Sequence, residues 1–530
     1  MEQSRISIVV ACVTFVLIVG RILRLSRRPP NFPPGPPTLP IIGNMHVLPR
    51  KDVHVQFNKW AKEYGPIFSL IVGTQTFVVL SSDVVVKELL DKRGAIYSDR
   101  MDAYLAKLCS EDHHMLTMGY GPQWRMARRL LNSLLNVNVA KSYVRYQLLE
   151  NKQLMYELLE EPNNFLASLQ RYANSLSTSM VYGRRTPQLE DPLMKEILHG
   201  LEEFGEIASS FQAALLDCYP VLRWLPDFVV SRKAQARRLY RRVSSNYVKL
   251  YNGIKSDMKV GKARPCLCVD MSKVQEKEGF SDTTAGYLAG NLIEAGTETT
   301  SSTLYAFIQA MVIFPEVMKK AQEEVDRVIG PDRLPTMNDE QDLQYIRACV
   351  KESLRWMPTA ITGAIPHCVI QDDEYQGYKI PKGAAVIHNV YSINMDPARY
   401  PDPRRFEPDR YKDDFQNAAD AATASDVSKR DHFTFGAGRR LCQGIHVAER
   451  SLFIGIARLA WAFDVNPATD SDGKPIIPDT DSYTSSFVVM PTPFKVRLTP
   501  RSEKRAEIVR AEWKQAEEEL LDPVTKQWKA

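Results

Sequence analysis

The sequence predicts a mainly α-helical protein with a small β region and an apolar helix at its amino terminus. Three observations support this fold class. Residues 6–20 form a continuous apolar run. Residues 282–314 keep the apolar spacing of a helix throughout, and helical patterns dominate between residues 84 and 357. Only short stretches, such as 68–72 and 77–80, have the β-branched and aromatic character of strands.

The apolar run at the amino terminus predicts a membrane anchor over residues 1–28. The run continues past Arg21 to Leu25, and about twenty such residues cross a ~30 Å hydrocarbon core if the arginine side chain extends to the interface. Arginines follow the run at positions 21, 24, 27 and 28, whereas only Arg5 precedes it, so the carboxyl side is expected in the cytosol. The alternative is a cleaved signal peptide. It would require positive charge before the run and small residues after it.

A proline-rich segment, residues 29–40, follows the predicted anchor. It holds six prolines in the nine residues 29–37. Proline lacks the backbone N–H that a helix interior needs, so the segment is expected to be a stiff, extended hinge that holds the following domain at a set orientation. A polyproline ligand for a recognition domain is the alternative.

The remaining chain is expected to form one continuous domain, 41–500, and a charged C-terminal tail, 501–530. Phe68–Val72 and Phe77–Leu80 flank Gly73 and predict a hairpin. The helix from Asp282 should end before Pro315, which gives it a length of roughly 50 Å and a path through the protein centre. Residues 417–425 are small and polar and predict a surface loop, whereas 501–530 predict an exposed helix.

Composition excludes several classes of function. A net charge of +5 over 530 residues is diffuse, and no basic block alternates with aromatics, so nucleic-acid binding is not expected. The eight cysteines are scattered without a Cys-x-x-Cys pair, which disfavours a disulfide scaffold or a zinc ribbon. The absence of an Asn-x-Ser/Thr sequon also favours a cytosolic, reducing compartment.

The strongest chemical signal is the decapeptide at residues 435–444, Phe-Gly-Ala-Gly-Arg-Arg-Leu-Cys-Gln-Gly. Its glycines allow the backbone to wrap closely around a sulfur, and Gly444 precedes an apparent helix whose N–H groups would stabilise a thiolate. The pattern predicts that Cys442 ligates a haem iron. Arg440 can pair with a haem propionate. The alternative is a buried structural cysteine beside a glycine-rich turn.

This decapeptide resembles the cytochrome P450 superfamily, specifically its microsomal monooxygenases, and the other landmarks follow in the family's order from the anchor to about residue 500. The resemblance implies the cytochrome P450 fold, one haem b held by Cys442, Phe435 and Gly438, and an endoplasmic reticulum membrane location. With the proline hinge and residues 489–494, the chain is most similar to fungal enzymes of secondary metabolism.

The same resemblance identifies residues 295–300, Ala-Gly-Thr-Glu-Thr-Thr, as an oxygen-activation motif on the long helix. It implies that Gly296 leaves room for O₂ at the haem face. Thr299 would offer its hydroxyl to dioxygen, and Glu298 would supply protons. By itself, Glu-Thr-Thr in a helix is more often a solvated or back-bonded polar turn.

Other family positions have matches here. Glu352 and Arg355 lie three apart on one helix face, and the resemblance implies a buried triad with Arg410 that retains haem. A surface ion pair is the alternative. Trp124 and Arg128, four apart, and His367 are implied propionate donors, although an amphipathic helix and a satisfied histidine would look the same. Substrate contacts are implied at Tyr104, Phe211, Leu292, Ala295, Ile361–Ile365 and Ser486–Phe487, for which plain core packing is the alternative.

The chain has no Gly-x-Gly-x-x-Gly motif and no room for flavin domains, so electrons must come from a partner. The resemblance implies an NADPH-cytochrome P450 reductase, for which Lys429, Arg430 and Arg439 could form a basic docking face. The expected reaction inserts one oxygen atom from O₂ into a hydrophobic polyketide, terpenoid or aromatic molecule. The alternatives are a haem-thiolate isomerase or dehydratase that needs no reductase, and a haem-binding sensor or electron carrier.

Overall fold

A computed structural model describes residues 2–484 and 488–529. Helices dominate this part of the chain, as predicted. They are α1 (Glu2–Arg24), α2 (Val53–Tyr64), α3 (Asp83–Val86), α4 (Gly94–Tyr97), α5 (Tyr104–Leu108), α6 (Pro122–Leu135), α7 (Val137–Ser142), α8 (Val144–Glu160), α9 (Phe165–Tyr182), α10 (Pro192–Ala208), α11 (Phe211–Cys218), α12 (Ser231–Lys259), α13 (Leu267–Glu278), α14 (Asp282–Ile313), α15 (Pro315–Val328), α16 (Gln344–Trp356), α17 (Val390–Asn394), α18 (Ala418–Thr423), α19 (Ile445–Ala462) and α20 (Glu503–Leu520).

The β structure is confined to short strands in three small sheets. They are β1 (Ile67–Val72), β2 (Gln75–Leu80), β3 (Asp99–Arg100), β4 (His367–Cys368), β5 (Asp373–Tyr375), β6 (Tyr378–Ile380), β7 (Ala385–His388), β8 (Phe463–Thr469), β9 (Pro475–Ile476) and β10 (Val496–Pro500). The largest sheet has the order β1-β2-β7-β4-β3. It contains the predicted hairpin, with β1 and β2 antiparallel and Ile67 paired with Leu80.

Helix α14 is the centre of the fold, and its predicted path and end are confirmed. It ends at Ile313, immediately before Phe314 and Pro315. Ser281 caps its first turn by accepting a hydrogen bond from the Thr284 N–H at 3.1 Å. Its second half is almost entirely buried, and it shares the main apolar core with α8, α9, α16 and α19. The helix therefore presents its residues to the protein interior, where a site can be shielded from water.

The proline-rich segment is bound to the sheet. Arg28 donates to the carbonyls of Gly35 at 2.8 Å and Ser69 at 2.9 Å. The Ser69 N–H donates in turn to the carbonyl of Pro34 at 2.7 Å. The segment contains no helix but turns at residues 30–32, where Asn31 has a φ of +63°, and its backbone pairs with β1. Its orientation is therefore fixed by hydrogen bonds as well as by proline stiffness.

No single helix in the part of the chain that the structure describes is both long and apolar enough to cross a membrane. By length and composition, the bent pair α14 and α15 passes the same criteria with a 107° break between them.

Two expectations about the surface were wrong. Residues 417–425 contain the short helix α18, because Asn417 caps it by accepting from the Asp420 N–H at 2.9 Å and its alanines are buried. The C-terminal tail forms α20, as expected of a helix, but one face is buried. Trp513 and Leu521 pack with Leu149 of α8. The many charged residues of this segment predicted the exposed outer face of α20. They also made its apolar inner face hard to recognise in the sequence.

Candidate active site

The loop before α19 is held by its own backbone. The Cys442 N–H donates to the carbonyl of Phe435 at 2.9 Å, which closes the loop around the cysteine. Gly438 has a φ of +60°, and a side chain there would lie 2.0 Å from the carbonyl oxygen of Leu90. Its N–H also donates to Asp91 at 2.6 Å. Glycine at 438 is therefore required by the close approach of residues 87–92. Gly444 immediately precedes α19, as predicted.

The Cys442 thiol is accessible although protein surrounds it. Its side chain is exposed, yet desolvation by the surrounding protein raises the pKa of the thiol. The Gly444 N–H and the Arg128 guanidinium act in the opposite direction and lower the pKa, because both stabilise a thiolate. The sulfur is 3.8 Å from the position that a Cβ on Gly444 would occupy.

Three guanidinium groups surround the cysteine loop. Arg440 donates to the carbonyls of Ser98 at 2.9 Å and Met118 at 2.8 Å, and lies 4.3 Å over the Trp124 ring. Arg128 donates to the carbonyl of Leu441. Trp124 and Arg128 thus share one face of α6 toward the cysteine loop, as their spacing of four predicts. Arg128 contacts the peptide preceding the cysteine, which the sequence did not indicate.

The third guanidinium, Arg100, was missed by the sequence analysis. It is buried, donates to the Ile365 carbonyl and leaves its Nε without a partner among the described residues. Burial and then Arg100 lower the pKa of Arg440 to about 8. The lowering shows that burial and the neighbouring guanidinium outweigh the attraction of Asp99, the carboxylate that acts in the opposite direction on both arginines. Such a cluster fits the two propionates of haem. No sequence signal distinguishes Arg100, because its position depends on strand pairing.

His367 is the cross-strand partner of Arg100 in the β3–β4 pair. Its Nδ1 donates to the carbonyl of Tyr97 at 2.7 Å. Desolvation and then Arg100 lower the pKa of His367 well below its usual value, so the ring is neutral and its Nε2 carries no proton. His367 can therefore donate to a propionate only after the anion itself raises its pKa. The role of His367 as a propionate donor stays a prediction, and the sequence could not indicate this condition on it.

On α14, Ala295 and Thr299 face accessible space in the interior, whereas Thr297 is fully buried. The Thr299 hydroxyl donates to the Ala295 carbonyl at 2.7 Å and presents its lone pairs outward. The Glu298 carboxyl accepts no hydrogen bond from any residue that the structure describes, whereas its backbone carbonyl accepts from the Ser301 hydroxyl at 3.1 Å. Burial and then Glu294 raise the pKa of Glu298 to about 7. A carboxyl group that holds its proton near neutral pH can donate it.

The expectation for Gly296 was wrong. A Cβ at Gly296 would lie 2.2 Å from the hydroxyl of Ser177 on α9, so the missing side chain permits close packing of α14 against α9. The room on the opposite face comes from the small side chain of Ala295. Spacing along the helix could not show which neighbouring helix Gly296 faces.

The predicted triad is formed and buried. Arg355 binds Glu352 through two hydrogen bonds of 2.7 Å, and both side chains are fully buried. Arg410 approaches the same carboxylate at 3.4 Å. The carboxylate also accepts from the Glu407 N–H at 2.8 Å. On the same helix turn, the Leu354 carbonyl accepts from the Thr434 hydroxyl at 2.6 Å, which connects α16 to the segment leading into the cysteine loop.

The remaining predicted residues separate into two groups. Arg430 is buried and donates to the carbonyls of His432 and Gly436, so its place on a docking face was wrong. Lys429 and Arg439 are exposed.

Among the expected substrate contacts, Phe211 is 72% exposed on the outer surface. Tyr104 lies between Arg223 and Lys233. Ile361 and Ile365 are buried, Ala295 faces the interior space, and Ser486–Phe487 lie outside the described residues.

The accessible Cys442 thiol, the buried Arg100, the half-buried Arg128 and Arg440, and the acid–alcohol pair on α14 are features consistent with a haem-thiolate oxygenase. The comparisons agree. A family model described as Cytochrome P450 matches residues 33–498. The cytochrome P450 monooxygenase virE of Hypocrea virens is 48% identical over 518 residues, 97% of this chain and 93% of its own length. The monooxygenase fogE of Aspergillus ruber is 44% identical over 97% of this chain and 95% of its own length.

A third relative, the cytochrome P450 monooxygenase fsoB of Humicola fuscoatra, is 45% identical over 100% of this chain and 97% of its own length. The chain belongs to the cytochrome P450 family. Proteins of this family bind haem iron as their cofactor, and its monooxygenases use a redox partner and a small-molecule substrate.

Proposed function

We propose that this chain inserts one oxygen atom from O₂ into a hydrophobic intermediate of fungal secondary metabolism, such as a polyketide, terpenoid or aromatic compound. The observation that carries the proposal is the accessible Cys442 thiol in a loop that contains Arg440 and that Arg128 contacts, with the buried Arg100 close enough to lower the pKa of Arg440. A structural cysteine would have no need for this excess of positive charge. The fungal monooxygenases among the relatives support the class of pathway.

We assign Cys442 as the iron ligand and the three arginines, with Trp124 and His367, as the residues that would hold the haem. Phe435 fixes the cysteine through its carbonyl, and Gly438 allows the loop to approach residues 87–92. When bound, the haem supplies oxygen activation, which a thiolate ligand promotes by pushing electron density toward the iron. Arg128 and the N-terminal end of α19 favour the thiolate form of Cys442.

Glu298 and Thr299 are assigned to proton delivery. The Thr299 hydroxyl uses its proton on the Ala295 carbonyl, so it meets the reacting atoms as a hydrogen-bond acceptor that orients them. Glu298 holds its proton until about pH 7 and can give it up in the shielded interior. Leu292, Ala295, Ile361 and Ile365 would present an apolar surface to the substrate.

For electron supply we propose an NADPH-cytochrome P450 reductase. Its docking face would include Lys429 and Arg439 beside the cysteine loop, joined by Arg125 and Arg129. These last two are exposed on α6, whose inner face carries Trp124 and Arg128. Arg430 is left out of the proposed docking face because its guanidinium is buried.

We further propose that residues 1–28 anchor the protein to the endoplasmic reticulum membrane, that 29–40 orient the catalytic domain 41–500, and that 501–530 brace it. Trp224 and Phe228 are 89% and 88% exposed in the segment after α11. The Tyr219 hydroxyl in that segment donates to the Ile41 carbonyl at 2.9 Å, so the exposed aromatics lie on the side of the proline-rich segment. Such a patch is expected to contact lipid beside an anchor.

The reduced carbon monoxide complex tests the iron ligand. Wild-type protein should give the red-shifted thiolate absorption band, and C442S should lose that band. The exposed Cys12 provides the matched control, because C12S should keep it. A C442S protein that retains the thiolate band would contradict the assignment.

Turnover tests the reaction. Microsomes containing the protein and a reductase are supplied with NADPH, ¹⁸O₂ and candidate metabolites, and one labelled oxygen atom per oxidised product is expected. Substrate conversion without NADPH or reductase would instead indicate an isomerase or dehydratase. Haem binding without any spectral shift on addition of hydrophobic ligands would favour a sensor or electron carrier.

A further inference from the structure

A polar stripe runs along the otherwise apolar helix α14 toward Thr299. Tyr287, Asn291, Glu294 and Glu298 follow one another at intervals of four, three and four residues. This spacing places them on one face of the helix, so the two carboxyl groups of Glu294 and Glu298 are neighbours on consecutive turns. Like charges this close disfavour simultaneous ionisation.

The two carboxyl groups have different hydrogen-bond environments. Glu294 accepts from the Tyr247 hydroxyl of α12 at 2.6 Å and from Asn291 at 3.4 Å. Its Oε2 is also 2.9 Å from Nε2 of His114, which lies in the segment between α5 and α6. The Glu298 carboxyl accepts none from the described residues. Hydrogen bonds donated to a carboxylate favour its charged form, and Glu294 is the member of the pair that receives them.

The donors to Glu294 are neutral. The Leu116 N–H donates to Nδ1 of His114 at 3.1 Å, so this nitrogen has no proton of its own and Nε2 carries the proton given to Glu294. The Phe204 ring stacks on the imidazole with centroids 5.7 Å apart. Because tyrosine, asparagine and this histidine tautomer bring no positive charge, they hold the Glu294 anion in place without cancelling its field.

The other titratable groups around the pair do not supply a cation either. Burial raises the pKa of the phenols of Tyr182, Tyr247 and Tyr287 and of the Cys268 thiol, and lowers the pKa of His113, so these groups are neutral near pH 7. They come from α9, α12, α14 itself, α13 and the segment between α5 and α6. Besides burial, Glu294 is the group that raises the pKa of Glu298.

We propose that Glu294 is a positioning residue whose fixed negative charge, held by Tyr247, His114 and Asn291, keeps the neighbouring Glu298 carboxyl protonated for proton delivery. The inference rests on the proposed function only for the use of that proton. Two adjacent carboxyl groups with opposed environments are a general way to keep one acid neutral near pH 7. Glu294 does not touch the reacting atoms in this assignment and acts through Glu298.

The substitution E294Q tests this role because it removes the charge and keeps the size. Without the anion, the pKa of Glu298 should fall by on the order of one unit for groups one helical turn apart. In the haem-loaded resting protein, infrared titration would follow the protonated carboxyl band, assigned by its loss in E298Q. The band should disappear at a pH about one unit lower in E294Q than in the wild type.

Turnover provides a second readout. As pH rises, deprotonation of Glu298 should increase the share of NADPH that ends as hydrogen peroxide instead of product, and this rise should begin about one pH unit earlier in E294Q. E294D keeps the charge and should restore the wild-type profile. The exposed Glu276 on α13 serves as a control, since E276Q should change nothing.

An unchanged infrared titration in E294Q, or an equal shift in E294D and E294Q, would overturn the proposal. If E294Q loses haem, Y247F removes one donor from the anion and should give a smaller shift in the same direction. The infrared titration needs no turnover. If E294Q shifts the titration of Glu298 as expected but the protein forms no oxidised product, the proposed function is wrong and the role of Glu294 still holds.

Discussion

Arginine side chains gather around Glu352 and around the cysteine loop, and the two groups differ in charge balance. Around Glu352, Arg355 binds the carboxylate at 2.7 Å twice, and its other N–H groups reach backbone carbonyls at 2.8 and 2.9 Å. Around the cysteine loop, Arg100, Arg128 and Arg440 face mainly carbonyls, and Arg100 keeps a buried N–H without a described partner.

The difference separates stability from ligand binding. A buried ion pair that is complete in itself belongs to the fold, because removing either partner leaves an uncompensated charge. Arg100 and Arg440 share a single nearby carboxylate, Asp99, so the remaining positive charge is costly for the isolated chain and is compensated when an anionic ligand arrives. A third group, in which Glu150 binds Arg171 at 2.8 Å and Arg185 at 2.6 Å, belongs to the first kind.

The largest expected effect is on stability and concerns the ion pair of Glu352 and Arg355, whose charges balance each other. E352Q leaves Arg355 buried without its carboxylate and should lower the free energy of unfolding by about 3–5 kcal/mol. Denaturant unfolding of the full chain measures this change. Glu316 pairs with Arg405 at the surface, so E316Q is the matched control and should cost under about 1 kcal/mol. Equal losses in the two variants would remove the distinction between a structural triad and a surface pair.

The second prediction concerns Arg100, whose loss should change haem release more than it changes stability. R100L removes a buried cation, so the loss of its hydrogen bond to Ile365 should be largely offset by relief of its desolvation, and the unfolding free energy of the haem-free chain should change by about 1 kcal/mol or less. Haem should nevertheless leave the protein about tenfold faster, as measured by transfer to a competing haem-binding protein. R129L, at an exposed position, should alter neither. If R100L strongly destabilises the haem-free chain, Arg100 stabilises the fold, as the Glu352–Arg355 pair does, and the distinction fails.

The smallest effect concerns acid. His367 is neutral in the folded chain because its pKa lies well below 6.5, whereas the unfolded chain binds the proton at about pH 6.5. Its contribution to stability is therefore present above pH 6.5 and is lost as pH falls below that value. The expected loss is up to about 1.4 kcal/mol per pH unit for this group.

Unfolding of the haem-free chain between pH 6.5 and 5 measures that slope. H367Q should reduce it, and H46Q, at an exposed position, should leave it unchanged. Haem propionates near Arg100 and His367 should also flatten the slope, since an anion favours the imidazolium. A slope that is the same with and without haem would contradict a propionate beside His367.

Local patterns predicted the parts of the fold that depend on local physics. The β1–β2 hairpin, the end of α14 before Pro315 and the start of α19 after Gly444 all follow from turn residues and apolar periodicity. The errors at Arg430 and in residues 417–425 have a common cause. Polar residues in a sequence suggest an exposed segment. Such residues can nevertheless be buried where backbone carbonyls or helix caps of the folded chain bind their polar groups.

By itself, the sequence determined the chemistry: the decapeptide ending at Gly444 and the Glu298–Thr299 pair are sufficient to predict a haem-thiolate oxygenase. Only the tertiary structure decided how these groups are tuned. Arg100 reaches the site through a strand pair with His367, and Glu294 acquires its donors from α12 and the segment before α6. Electrostatic fields act through space, so partners hundreds of residues apart set the charge states that a local motif leaves open.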